Sequence, residues 1–276
     1  MVPTDNVAEV PAVDGYVDVS DGTLHYTRRG DGPAVLLLHP LALSGAVWSE
    51  FASRLAAQFD VIALDARGHG LSTWSGEPLT IERLADDAAH LIDGLGLATA
   101  HVVGLSMGGS TALQLAAAHP ERVNRLFLAD TTAWYGPDAA PIWGERADRV
   151  LAQPRTDQVT FQVDRWFTTT FSRRRLDVVR SVVRAFLATD SVVHASACRA
   201  LGAMDLRSIL GRVTAPTVVV TGVEDYATPP EMGRAIADLV PRATAEVLDG
   251  LRHLSLIERP ELAQAVAEHF LRVEVR

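Results

Sequence analysis

Five residues, Gly104-Leu105-Ser106-Met107-Gly108, constrain this chain more than any other stretch. They read G-x-S-x-G between an apolar run (Val102, Val103) and a small-residue segment of helical spacing. A serine flanked this way has the form of a nucleophile elbow, a strained strand-to-helix turn that leaves the hydroxyl exposed at the top of a sheet. The backbone N–H groups that follow open the helix and point toward negative charge building up beside the serine. The pattern also recurs in plain glycine-rich turns, so its surroundings decide the reading.

Those surroundings predict alternating strands and helices. Tyr16–Val19 and Leu24–Thr27, separated by Asp21-Gly22, make an opening hairpin. Strand 34–38, helix 46–58, strand 60–64, helix 80–95, strand 101–105, helix 107–118 and strand 123–129 then read as βαβ units of a parallel sheet. Within 80–95, Ile81, Leu84, Ala85, Ala88, Leu91, Ile92 and Leu95 fall on one stripe, with Thr80 as cap. Strand 217–221, helix 230–239, strand 245–248 and helix 260–272 resume the alternation. Between about 131 and 210 the strands stop, and helical segments near 143–152, 157–168, 176–189 and 192–209 take their place. The expected organisation is a core of 1–130 and 211–276 with a helical cap, 131–210, inserted above the carboxyl ends of the strands, where open α/β sheets bind ligands.

Three further segments belong beside Ser106. Ala34–Leu38 is a buried strand delivering His39-Pro40-Leu41 to the sheet's carboxyl edge; Thr217–Thr221 is another, followed by Gly222-Val223-Glu224-Asp225; and Gly250-Leu251-Arg252-His253 follows the last strand. Ser106, Asp225 and His253 thus come in the order nucleophile, acid, histidine. Glu224 and Asp130 remain alternative acids, and His39 and His69 flank the region. His25, His90, His101, His119, His194 and His269 read as structural or exposed, Cys198 as a packed small hydrophobe, and Arg173-Arg174-Arg175 as a solvated helix start or loop.

Over nearly its whole length the chain resembles the α/β-hydrolase-fold serine hydrolases. Leu64-Asp65-Ala66-Arg67-Gly68-His69-Gly70-Leu71-Ser72 is similar to their D-x-R-G-x-G-x-S loop. Within them the likeness is closest to 3-oxoadipate enol-lactonases. It is carried by Gly104–Gly109, Arg165-Trp166-Phe167-Thr168, Asp205-Leu206-Arg207, Asp225-Tyr226-Ala227-Thr228-Pro229-Pro230, His253-Leu254-Ser255 and Trp143-x-x-Arg146-x-x-x-Val150-Leu151. The resemblance implies a mostly parallel sheet flanked by helices with an inserted helical cap, and a catalytic triad of Ser106, Asp225 and His253. It also implies an oxyanion hole from the backbone N–H groups of Leu41 and Met107. Pro40 departs from the family, which has glycine after that histidine; proline lacks an N–H, but the inferred donor lies one residue later. The implied activity is hydrolysis of a small carboxylic ester or lactone, foremost 3-oxoadipate enol-lactone. A carboxylesterase, a carbon–carbon bond hydrolase and a non-catalytic small-ligand sensor are the alternatives. Trp143, Arg146 and Trp166 are candidate substrate contacts: a carboxylate suits an aromatic wall plus a guanidinium, though both tryptophans also suit a cap core.

Composition narrows the classes further. With 276 residues, nearly half hydrophobic, the chain can bury a large core. Its formal charge of −9 argues against a nucleic-acid partner, and the lysine-free set of 25 basic residues speaks to composition bias rather than chemistry. A single cysteine excludes a disulfide framework. Met1–Asn6 lacks the pattern of a leader, and no stretch reaches membrane-span length. A cytoplasmic protein needing no metal or cofactor, with a small-molecule substrate and room for self-association, is expected.

Overall fold

The computed structural model describes residues 10–272; Met1–Asn6, where the sequence was expected to lack a leader pattern, lie outside them. Strands β1 (Val13–Val19), β2 (Gly22–Arg29) and β3 (Ala34–Leu38) lead to helix α1 (Ser49–Leu55), β4 (Asp60–Leu64), α2 (Ile81–Gly94), β5 (Ala100–Leu105), α3 (Met107–Ala118) and β6 (Val123–Ala129). Five helices follow with no strand between them: α4 (Ala139–Ala152), α5 (Arg155–Trp166), α6 (Thr169–Arg174), α7 (Leu176–Ala188) and α8 (Ser191–Ala203). β7 (Thr217–Gly222), α9 (Pro230–Leu239), β8 (Ala243–Leu248), α10 (Ser255–Glu258) and α11 (Ala263–Leu271) then complete the described chain.

The strands form one eight-stranded sheet in the order β1-β2-β4-β3-β5-β6-β7-β8. β1 and β2 pair antiparallel, as do β2 and β4, and all other pairings are parallel. β5, which delivers Ser106, lies in the interior of the sheet. The central strands are buried on both faces because side chains alternate. Leu36, Leu38, Ile62 and Leu64 face α2 and α3; Val35, Leu37, Val61 and Ala63 face Phe51, Leu55, Val266 and Phe270 of α1 and α11. Full burial of each such Leu or Phe stabilises the fold by about 1.5–3 kcal/mol. Both apolar clusters continue into the inserted helices, through Trp143, Val193 and Leu201 on one side and Trp166, Phe167 and Phe186 on the other.

Several expected boundaries move. The helix expected at 46–58 opens as a 3-10 turn at Gly45–Trp48 and ends at Leu55, and the one expected at 260–272 is preceded by a 3-10 turn at Pro260–Leu262. The helix expected at 192–209 stops at Ala203, because the next residues bond elsewhere: Asp205 bridges Trp134 and the Leu206 N–H donates to the Ala133 carbonyl at 3.0 Å. Helix α6 was not anticipated. Thr168 caps it by accepting the Phe171 N–H, and the Glu258 carboxylate holds Thr168 in turn. Arg173 and Arg174 therefore end a helix rather than start one, where the helix dipole favours cations, and Arg175 pairs with Glu50 and Asp177 at 3.0 Å each. Among the described residues no helix is long and apolar enough to cross a membrane.

Candidate active site

Ser106 sits at φ 56°, ψ −118°, a combination a non-glycine residue holds only when its surroundings impose it. The glycines on either side make this possible by close approach. A Cβ on Gly104 would lie 2.4 Å from the Gly108 carbonyl oxygen, and one on Gly108 would lie 2.1 Å from that of Leu38. Strand β5, helix α3 and strand β3 therefore touch backbone to backbone at the turn. The Thr131 hydroxyl, donating to the Ser106 carbonyl at 2.7 Å, braces it from below.

Two loops at the same end of the sheet complete a hydrogen-bonded chain. Ser106 Oγ lies 2.8 Å from His253 Nε2, and His253 Nδ1 lies 2.8 Å from Asp225 Oδ2. Asp225 is 2% exposed and saturated with donors: Oδ1 accepts the N–H groups of Ala227 and Thr228 at 2.8 and 3.1 Å, and Oδ2 accepts the Thr228 hydroxyl at 2.7 Å. Burial alone would raise this carboxyl, but the His253 imidazole and the Thr228 donors outweigh it and hold it below the usual carboxylate range. For His253, burial disfavours the cation while Asp225 and Asp130 favour it more strongly, so the imidazole titrates above its ordinary value. With Nδ1 bonded to a carboxylate, the proton sits there, and Nε2 offers a lone pair to the serine hydroxyl.

Asp130 and Glu224 stand elsewhere. Asp130, fully buried at φ 47°, accepts the N–H of Gly222 at 3.0 Å and of Ser255 at 2.9 Å, which ties the loops bearing Asp225 and His253 to β6. Burial and the neighbouring Asp225 push its carboxyl up to about 7. Glu224 pairs with Arg252 at 3.4 Å.

The loop after β3 passes over Ser106. His39 is buried, with Nδ1 donating to the Pro40 carbonyl at 2.8 Å and Nε2 accepting the Ala66 N–H at 3.0 Å. The Pro40 carbonyl also accepts the Leu43 N–H at 3.3 Å, and Ala42 takes φ 57°. The turn is thus fixed by these bonds, with Pro40 where the resemblance led to expect glycine. The backbone N–H groups of Leu41 and Met107 have no protein acceptor among the described residues. His39 and His69 lie behind this loop, outside the wall of the cavity above Ser106. Asp65, heading the D-x-R-G-x-G-x-S stretch, binds His25 Nδ1 at 2.7 Å and the N–H groups of Gly45 and Leu71 at 2.7 and 2.9 Å, while Arg67 forks onto Asp87. That stretch holds loops together.

The cavity, about 200 Å3, is walled by Ser106, His253 and Leu41 below and by the inserted helices above. Trp143, Arg146 and Trp166, singled out in the sequence, all line it. Arg146 and Trp143 share a face of α4, with the guanidinium 4.8 Å from the indole centroid. No carboxylate of the described residues pairs with Arg146. Burial makes its charge costly, yet a guanidinium stays protonated at neutral pH. Trp166 packs edge-on to Phe186 at 5.5 Å, so it is both wall and core.

The wall also contains Tyr135, Gln162, Arg165, Phe186 and His194, none of which the sequence had marked as contacts. Arg165 and Trp166 share a tract that carries the resemblance, but only Trp166 is a candidate contact in the sequence; the Arg165 guanidinium lies 4.7 Å from the Tyr226 ring centroid. His194, read as structural or exposed, is fully buried on the cavity wall because α8 passes beside α4. Cys198, one turn further along α8, is fully buried and its thiol is pushed up to about 11 by burial, which leaves it inert.

Residues 33–260 match the family described as alpha/beta hydrolase fold. 3-Oxoadipate enol-lactonase 2 of Acinetobacter baylyi is 32% identical over 243 residues, covering 87% of this chain and 90% of that protein. The enol-lactonase structure from Burkholderia xenovorans LB400 superposes with a TM-score of 0.88 at 32% identity, covering 94% of this chain and all of the other. A thermophilic esterase from Thermogutta terrifontis, solved with malate bound, superposes with a TM-score of 0.84 at 28% identity, covering 94% and 97%.

Proposed function

The chain belongs to the alpha/beta hydrolase fold family, and from that premise we propose that it is a serine hydrolase opening a small lactone that carries a free carboxylate, of the 3-oxoadipate enol-lactone kind. Ser106 Oγ attacks the lactone carbonyl as His253 Nε2 takes its proton. The oxyanion that forms is held by the N–H groups of Leu41 and Met107, which have no other acceptor among the described residues. Collapse of the tetrahedral species breaks the ring C–O bond and His253 returns the proton to the departing oxygen. Water, deprotonated by the same nitrogen, then releases the acid and regenerates Ser106. Asp225 keeps the imidazole in the required tautomer and stabilises its charged form throughout. The inserted helices act as the lid that sets what enters.

One observation carries the substrate class: Arg146, a cation with no carboxylate partner among the described residues, lines the same cavity as Ser106 and His253. Arg146 is half-buried, and a partly desolvated charge without a counterion carries a cost that a substrate carboxylate would relieve. The cavity's small volume suits a compact acid better than a long acyl chain. Two enol-lactonase relatives and an esterase solved with the dicarboxylate malate agree with this reading. The aromatic wall of Tyr135, Trp143, Trp166 and Phe186 favours a second reading, a carboxylesterase of small neutral esters.

A panel of acidic lactones and neutral aryl esters, ranked by kcat/KM, tests the proposal. A charge-assisted pair is worth roughly 1.5–3 kcal/mol, so Arg146→Met should lower kcat/KM for the acidic lactone by about 10- to 100-fold and barely change a neutral ester. Equal losses on both remove the carboxylate role from Arg146. Ser106→Ala should lower kcat by about 10⁴ or more on every substrate. Wild-type preference for neutral esters would select the carboxylesterase.

A further inference from the structure

Among the titratable groups that the mechanism leaves unused, His194 is one of three buried histidines, with His69 and His101, that have a ring nitrogen without a partner among the described residues. It is fully buried on α8, its Nδ1 lies 3.0 Å from Arg155 Nη1, and Nε2 has no hydrogen-bond partner. A guanidinium N–H can only donate, so Nδ1 must be the acceptor in that bond and the ring proton sits on Nε2. The result is a buried N–H donor with no acceptor among the described residues. Such a donor costs stability unless something arrives to accept it. The same imidazole lines the cavity shared by Ser106, His253 and Arg146.

The ring is held rather than free to turn. Arg155 is anchored by donating from Nε and Nη2 to the Phe186 carbonyl, and its guanidinium lies 4.0 Å from the Phe186 ring centroid. Phe186 meets the imidazole edge-on at 5.8 Å. The charged and titratable groups facing His194 are Arg146 from α4, Arg155 from α5, His69 from the loop after β4 and Cys198 one turn along α8. Burial, Arg146 and Arg155 all disfavour an imidazolium, so the ring stays neutral across the working pH range.

We propose that His194 Nε2–H is a neutral specificity-determining donor that, together with the Arg146 guanidinium, receives the distal carboxylate of the substrate. This rests on the acidic-lactone reading above. Arg146 supplies the charge, while His194 supplies a directed bond to the oxygen lone pairs that one guanidinium edge leaves open. Arg155 sits behind it as a positioning residue that selects the tautomer. Gln162, 5% exposed and with no side-chain hydrogen bond among the described residues, stands on the same wall as a further amide for that end of the ligand.

The test uses succinate as a competitive inhibitor of 4-nitrophenyl acetate hydrolysis, beside KM and kcat for the acidic lactone. His194→Phe keeps a ring and removes the donor. It should raise the succinate Ki and the lactone KM at least tenfold, a much larger change than in the KM for nitrophenyl acetate. His194→Gln, whose amide can accept from Arg155 and still donate, should recover most of that loss. The wild-type lactone KM should show no step near pH 6.5, as the donor is neutral on both sides of it. An unchanged succinate Ki in His194→Phe, equal losses on charged and neutral substrates, or a KM step near the ordinary histidine pKa would each overturn the proposal. The first of these would leave His194 as packing. If the wild type neither binds succinate nor turns over the acidic lactone, while hydrolysing nitrophenyl acetate, the substrate class itself is overturned. If the wild type does both and His194→Phe keeps them, only the assignment of His194 falls.

Discussion

Asp225 and Asp130 are both buried carboxylates at the same end of the sheet, and their partners separate their jobs. Asp225 bonds the imidazole directly at 2.8 Å, and its charge helps raise that imidazole's pKa. The free enzyme should therefore show an acid limb in kcat/KM above pH 6.5, the ordinary histidine value. Asp225→Asn should pull the limb down and lower kcat by up to about 10⁴, read from a pH–rate profile with nitrophenyl acetate. A limb at or below 6.5 in the wild type would show that Asp225 does not govern the base.

Asp130 bonds only backbone, one N–H to each oxygen, so replacing it tests stability more than chemistry. In Asp130→Asn one of those N–H groups must face an amide NH2, a loss of about 1–3 kcal/mol, while kcat changes little. The sign with pH follows from the carboxyl standing at about 7 in the fold, above its value near 3.8 when unfolded. The native state holds that proton more tightly, so this contribution is fully present below about pH 4 and lost as pH rises through 7. The Tm gap between wild type and Asp130→Asn should therefore narrow between pH 5 and pH 8.

At the scale of elements, the elbow depends on three backbones in contact more than on the loose conformations usually credited to glycine. Gly108 lies within α3, and it is the Leu38 and His39 carbonyl oxygens of the neighbouring strand and loop that leave no room for a Cβ, at 2.1 and 2.8 Å. Backbone cannot swing aside as a side chain can. Gly108→Ala should cost at least about 1–3 kcal/mol in chemical denaturation and move Ser106 relative to Leu41, with loss of kcat. An unchanged midpoint and kcat would mean that α3 shifts freely against β3. The periodicity of the sequence found these elements because apolar runs and stripes are local signals. It missed α6, whose start is fixed by Thr168 held from Glu258, 90 residues away. It overran α8, whose end is fixed by bonds back to Ala133 and Trp134.

For the whole molecule, the two apolar clusters on the faces of the sheet both extend into the inserted helices. Unfolding the insertion alone would expose Trp143, Trp166, Phe167 and Phe186 together with their partners below. Thermal unfolding should accordingly be one transition, with far-UV circular dichroism and tryptophan fluorescence coinciding. Trp48 reports from beside α1, and Trp143 and Trp166 from the insertion. Two separated transitions would assign the insertion a core of its own.

The sequence by itself determined the alternation of strand and helix, the elbow, and the chain order that brings Ser106, Asp225 and His253 to one edge. It could do so because each is a local pattern at the end of a buried strand, and in a parallel sheet all such ends meet at one side. Which acid bonds the imidazole, and which side chains wall the cavity, only the tertiary structure decided. Asp130 and Asp225 follow adjacent strands and differ only in what lies across from them. His194 carries no motif, and its place on the wall depends on how α8 packs beside α4 and where Arg155 lies. A lone histidine in a helix says nothing of the partner that fixes its proton, since that partner is 39 residues away in the chain and 3.0 Å away in the fold.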